Sequence, residues 1–373
     1  MTARKLYSIV LAGALAGMLG ACSLILSDPV DQSREAFVQQ DYTVAREAAL
    51  QALQQNERDP AALDLLAQIY LAMGQGADAL AILDRLKATG TPPANVRLLE
   101  AEAMLQTGEH EQALELLVGE ESAESWRLRA LAANLAGDSE VAIAAFLRGR
   151  EAEGDKRKLF TAEANFHLAR GDPAAARHAV AQVQRLAPTS IETLFVSARL
   201  AQIDGAPELA ARAYLAILDR APVDRPALLG AIAELDKLGR IDLIRDLVQR
   251  GRDAYPQDVE FIYLTASLYA HDGNWSATRT FLQEHESRIA AHDNARGLYG
   301  QALLEMGQLE LARAQLAPLN RRYPDNPAYA RIFARILLAL GEQTEARRVI
   351  RPIAYGPHAQ DIDRELLQQA SAA

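Results

Sequence analysis

Residues Pro60–Leu86 read PAALDLLAQIYLAMGQGADALAILDRL. The stretch predicts two short helices joined by a tight turn at Gly74. The same turn glycine recurs as Gly108, Gly137, Gly171, Gly205, Gly239, Gly273, Gly307 and Gly341. Each follows the last by 34 residues, except Gly137, which follows Gly108 by 29. A period this regular predicts a solenoid, in which each unit contacts only its neighbours and length adds units rather than cores.

The units begin near residues 26, 60, 94, 123, 157, 191, 225, 259, 293 and 327. Their eighth position is Ser33, Ala67, Ala101, Ala130, Ala164, Ala198, Ile232, Ala266, Gly300 and Ala334. Their twentieth is Ala45, Ala79, Ala113, Ala142, Ala176, Ala210, Ile244, Thr278, Ala312 and Ala346. Small side chains at both places let two antiparallel helices approach closely. Pro188, Pro222, Pro256 and Pro324 at position 32 stop the second helix. Asp28-Pro29, Asp59-Pro60, Asp172-Pro173 and Asn326-Pro327 predict helix starts, with an oxygen-bearing N-cap and proline in the first turn.

This pattern resembles the tetratricopeptide repeat (TPR), over about residues 26–357. The resemblance implies an all-α solenoid of about ten helix-turn-helix units. The expected organisation is 1–21 as a signal peptide, 22–27 as linker, 28–357 as superhelix, and 358–373 as a capping helix and tail. Three departures carry expectations of their own. Gln40 stands where the first turn glycine belongs. Unit seven has Ile232 and Ile244 at its small positions, so its helices are expected farther apart. The 29-residue interval shortens the second helix of unit three, which predicts a change of curvature between residues 118 and 124.

Apolar residues make up 50% of the chain but aromatics only 6%, as Ala- and Leu-rich helix packing requires. A net charge of -10 argues against sequence-independent nucleic-acid binding, which needs a basic face. The single cysteine, Cys22, excludes an intramolecular disulfide.

Arg4 and Lys5 precede an uncharged apolar run from Leu6 to Leu19, too short for a comfortable membrane span. Leu19-Gly20-Ala21-Cys22 then resembles the lipobox of bacterial lipoproteins. That resemblance implies cleavage before Cys22 and its acylation, leaving a mature charge of -12 once Arg4 and Lys5 are removed. Ser23, rather than Asp, at the next position implies sorting to the periplasmic face of the outer membrane.

No catalytic or metal constellation stands out, and no cofactor is expected. His285-Glu286 lacks the second histidine of a zinc protease motif, and a turn is expected between His285 and His292. His167 falls at a core position, and no phosphate loop or nucleophile elbow is present. We therefore expect a non-enzyme.

In tetratricopeptide arrays the first helix of each unit lines the concave groove, commonly through positions 2, 5, 9 and 12. The resemblance places Arg127, Asn134, Lys158, Asn165, Phe195 and Arg199 there in units four to six, with Arg331 and Arg335 in unit ten. Arg127, Lys158 and Arg199 are expected to form a basic ladder for an acidic peptide or anionic polymer. The overall expectation is an outer-membrane-anchored periplasmic scaffold that binds a protein partner in its groove. Such lipoproteins are similar to components of exopolysaccharide export and pilus assembly. The alternative expectation is a lipoprotein activator of a peptidoglycan-synthesising enzyme.

Overall fold

A computed structural model describes residues 28–372; Cys22 and the expected signal peptide lie outside them. The described residues contain 22 helices and no strand. They fall into two compact units, divided between Val118 and Gly119. The first holds α1 (Pro29–Val38), α2 (Tyr42–Gln55), α3 (Pro60–Ala72), α4 (Gly76–Lys87), α5 (Val96–Thr107) and α6 (His110–Leu116). The second begins with α7 (Ala123–Leu135), α8 (Ser139–Glu151), α9 (Arg157–Ala169), α10 (Pro173–Leu186), α11 (Ile191–Ile203) and α12 (Pro207–Leu218). It continues with α13 (Arg225–Lys237), α14 (Ile241–Ala254), α15 (Val259–His271), α16 (Trp275–Glu284), α17 (Glu286–Ile289) and α18 (Asp293–Glu305). It closes with α19 (Leu309–Arg322), α20 (Pro327–Ala339), α21 (Gln343–Ala354) and α22 (Asp361–Gln369). The shortened second helix of unit three is α6, at seven residues.

Within each compact unit every helix packs on the next in sequence, and first helices of neighbouring repeats lie side by side, as α7 with α9 and α9 with α11, except that α13 of unit seven does not pack closely on α11 or α15. The reason is visible at the small positions. Ala67, Ala130, Ala164, Ala198 and their partners Ala79, Ala142, Ala176 and Ala210 are all fully buried. At Gly300 a Cβ would come within 1.7 Å of Leu316 Cδ2, so alanine there would require the Leu316 side chain to move. Ser33 is tolerated because its hydroxyl donates to the Ala45 carbonyl at 2.7 Å. Unit seven buries both Ile232 and Ile244, and on another face of α14 the Phe261 ring of the next repeat sits against Gly251, where no side chain stands.

The turns repeat one hydrogen-bonding scheme. After α3, Gly74 N–H donates to the Leu71 carbonyl and Gln75 N–H to that of Tyr70, with Gly74 left-handed at φ 73°. Gln40 takes the same left-handed conformation at φ 61°, with the equivalent bonds to Phe37 and Ala36. The turn geometry is thus kept without glycine, at a steric cost of about 1 kcal/mol. The caps form as the sequence indicates: Asp59 accepts from Ala61 and Ala62, and Asn326 from Ala328 and Tyr329. No helix among the described residues is long and apolar enough to cross a membrane.

Candidate functional site

The candidate surface in units four to six is built on α7, α9 and α11, which lie side by side. Its residues differ in what they face. Asn134 on α7 is exposed, as is Lys158 at the start of α9. Arg199 on α11 is exposed and donates to Asn165 Oδ1 on α9 at 2.9 Å, across one repeat. Phe195 is half-buried, edge-on to the Tyr214 ring at 6.1 Å between centroids.

Arg127 does not stand beside them as an open cation. Its side chain is buried, and its Nε and Nη2 each donate to a Glu124 oxygen at 2.7 Å. Burial pushes the Glu124 carboxyl up, but the Arg127 hydrogen bonds and the Arg127 and Lys158 charges outweigh it and hold the carboxyl below its usual range. Lys158 Nζ lies 3.8 Å from the same carboxylate. The basic ladder expected from spacing is therefore two exposed cations, Lys158 and Arg199, above an arginine–glutamate pair. The physical reason is position 5, which packed side chains of the same helix, the second helix or the next repeat cover. Arg127, Phe195, Tyr263 and Arg331 all occupy it, and none is exposed.

At the other end of the array Arg331 follows the same rule. It holds the fully buried Asp363 of α22 through two hydrogen bonds of 2.6 and 2.9 Å. That guanidinium holds the Asp363 carboxyl below its ordinary range, against the effect of burial. Arg335 pairs with Glu305 at 2.9 Å. Sequence reasoning missed these partners. The signal for one was there: Glu124 precedes Arg127 by three residues, so both stand on one helix surface. It also missed Glu163, buried in α9 and paired with Arg150, and Glu234, buried in α13 and held by Lys237 and by Gln202 of α11.

The histidines have structural roles. His292 caps α18 through Nδ1, which accepts from Ala295 N–H at 3.0 Å, while Nε2 lies 3.1 Å from Glu260. His285 Nδ1 lies 2.9 Å from the Phe281 carbonyl, and α17 separates the two histidines. His167 is buried against Phe166.

Residues 30–95 and 269–336 match family models for the tetratricopeptide repeat. No curated protein matches the sequence significantly. Among solved structures the chain is similar to one of the APC/C hetero-tetramer Cut9–Hcn1, at 13% identity over 91% of this chain and 95% of that one, with a TM-score of 0.49. It is similar to the TPR domain of P58(IPK), at 15% identity over 92% of this chain and 96% of that one, with a TM-score of 0.35. It is similar also to TTC0263, a thermophilic TPR protein of Thermus thermophilus, at 25% identity over 47% of this chain and 96% of that one, with a TM-score of 0.40. Tetratricopeptide-repeat proteins are generally non-catalytic scaffolds that bind other proteins. Residues 30–95 and 269–336 are thus tetratricopeptide repeats, and the helix pairs and left-handed glycine turns between them continue the same local pattern.

Proposed function

We propose that this chain is a lipid-anchored scaffold for an assembly in the bacterial cell envelope, such as exopolysaccharide export or pilus assembly. The observation that carries the address is the succession of Arg4-Lys5, the apolar run Leu6 to Leu19, and Leu19-Gly20-Ala21-Cys22. Acyl chains on Cys22 would contribute about 0.8 kcal/mol per buried methylene, enough for several chains to hold the protein at the outer membrane. The first helix cap, Asp28, follows six residues later, so the array starts close to that anchor.

The partner is a protein, and we place it on the first-helix surface of units four to six. Lys158, Arg199, Asn134 and Asn165 supply polar groups there, Phe195 an apolar edge, and the Arg127–Glu124 pair the footing beneath Lys158. Two experiments test the reading. Cys22→Ser should abolish lipid labelling and release the protein from the outer-membrane fraction; equal labelling of the variant refutes the anchor. A Lys158→Ala/Arg199→Ala chain of unchanged helicity should lose its partner in pull-downs from envelope extract, whereas full retention moves the site elsewhere.

A further inference from the structure

The chain is acidic overall, yet residues 311–357 carry eight arginines against three acidic residues. Part of this excess lines a cavity of about 620 Å³ between α21 and α22, formed by Arg347, Arg351, Tyr355, Arg364, Leu367 and Gln368 among others. Arg364 is engaged by Asp361 at 2.8 Å. Arg347 and Arg351 are exposed, and neither makes an ion pair or side-chain hydrogen bond among the described residues. Their neighbour Arg348, a third of a turn away, is paired with Glu345.

What Arg347 lacks is shown by its counterparts. Arg177, Arg245 and Arg313 occupy the same position, the twenty-first, in units five, seven and nine. Each binds a carboxylate at the helix turn of the next unit: Asp204, Asp272 and Glu342. In unit ten the following element is α22, whose Asp361 and Asp363 are taken by Arg364 and Arg331. Arg46 and Arg279 share the position in units one and eight and likewise make no ion pair among the described residues. Only in unit ten is the open arginine followed one turn later by a second exposed arginine, Arg351, and then by Tyr355.

We propose that this face binds an extended acidic segment of a partner protein, with carboxylates at alternate residues on Arg347 and Arg351 and an apolar residue beside Tyr355. Arg347, Arg351 and Tyr355 follow one another at one-turn intervals, about 6 Å apart along the helix axis at 1.5 Å per residue. Same-side residues of an extended chain repeat every ~6.6 Å, so acid-x-acid-x-apolar matches the row. Guanidinium suits this ligand because its fork donates to both oxygens of a carboxylate, as Arg331 does with Asp363. Leu367 of α22 adds apolar surface for the last residue. The site is separate from the first-helix surface of units four to six and does not depend on the envelope reading.

The test uses the full chain and a fluorescein-labelled peptide, Glu-Ser-Glu-Ser-Phe, followed by anisotropy at low salt. Binding is expected, weakening as salt rises. Replacing both glutamates with glutamine, or changing the chain to Arg347→Gln/Arg351→Gln, should weaken it about tenfold. Arg348→Gln, whose cation is already paired, should change it less than about twofold. All these cations are exposed, and circular dichroism verifies that the variants stay folded. No binding to the unaltered chain overturns the proposal. So does equal loss with Arg348→Gln, which would mean unspecific charge attraction. Binding to phosphatidylglycerol vesicles with no binding of the peptide also overturns it and assigns the face to a membrane. The result reads the same in a Cys22→Ser chain, so its failure is distinct from failure of the anchor.

Discussion

Arg127 and Arg347 are both arginines on repeat helices, and a sequence scan treats them alike. One is buried against Glu124 inside the row of first helices; the other is exposed with nothing to bind. The difference is not in the residue but in what stands three residues before it and one repeat beyond. Position 5 of a first helix is shielded from solvent, so a cation there must find a carboxylate or be destabilising. Position 21 of a second helix lies at the joint with the next unit, and its cation is satisfied only if that unit supplies an acid. An arginine in such an array therefore serves as structure or as a receptor according to its neighbours.

The comparison can be broken most directly at Arg331. Arg331→Ala would leave the buried Asp363 carboxylate without its cation and with only the Gln360 N–H donating to it, and a loss of about 3 kcal/mol is expected. Hydrogen exchange should show α22 losing protection; an unaltered α22 would mean that the pair does not hold it. Arg127→Ala should cost about 2 kcal/mol by removing both hydrogen bonds to Glu124, which keeps only the Lys158 charge at 3.8 Å, read as a lower urea midpoint. A neutral result there would return Arg127 to the list of open surface cations.

Acid sharpens the same contrast without mutation. Arg331 holds the Asp363 carboxyl below its usual range, so the folded chain binds this proton less readily than the unfolded chain. The pair's contribution is complete above the ordinary aspartate value of about 4 and is lost as pH falls through the lower, folded one. Exchange protection of α22 should decline below about pH 4, by less than Arg331→Ala produces, since a protonated carboxyl still hydrogen-bonds. In an Asp363→Asn chain this acid dependence of α22 should disappear. Smallest of all, Arg347→Ala and Arg351→Ala should shift stability by no more than about 0.5 kcal/mol, because no partner is removed. A large drop in melting temperature would show that these two arginines support the fold after all.

The architecture was legible because it is written as a period. Small residues at 8 and 20, glycine at 15 and caps such as Asp59-Pro60 each reflect a local steric or hydrogen-bonding demand that recurs every unit. Even Gln40 breaks only the letter of the pattern, since its backbone still turns left-handed. The candidate surface was less legible. Lys158 and Arg199, at positions 2 and 9, are exposed as spacing implied, whereas position 5 is covered. Periodicity places a side chain on a helix but carries no information on the neighbour that covers it. The Arg199–Asn165 bond joins residues 34 apart, and Arg331–Asp363 residues 32 apart. Such partners become visible only when the sequence is folded back one repeat at a time.

The joints sealed by Arg177, Arg245 and Arg313 are spaced 68 residues apart, so they recur at every second unit. This gives rules for shortening the chain. Excising unit six alone, residues 191–224, would bring Leu238 to the place Asp204 held before Arg177, with Arg240 two residues further on. The joint would lose its acid and gain a second cation. Excising units six and seven together, residues 191–258, would bring Asp272 to that place, and the seam would rejoin with its charge pair restored. At this seam the length that can be removed with the charge pair kept is therefore two repeats, twice the period its glycines announce.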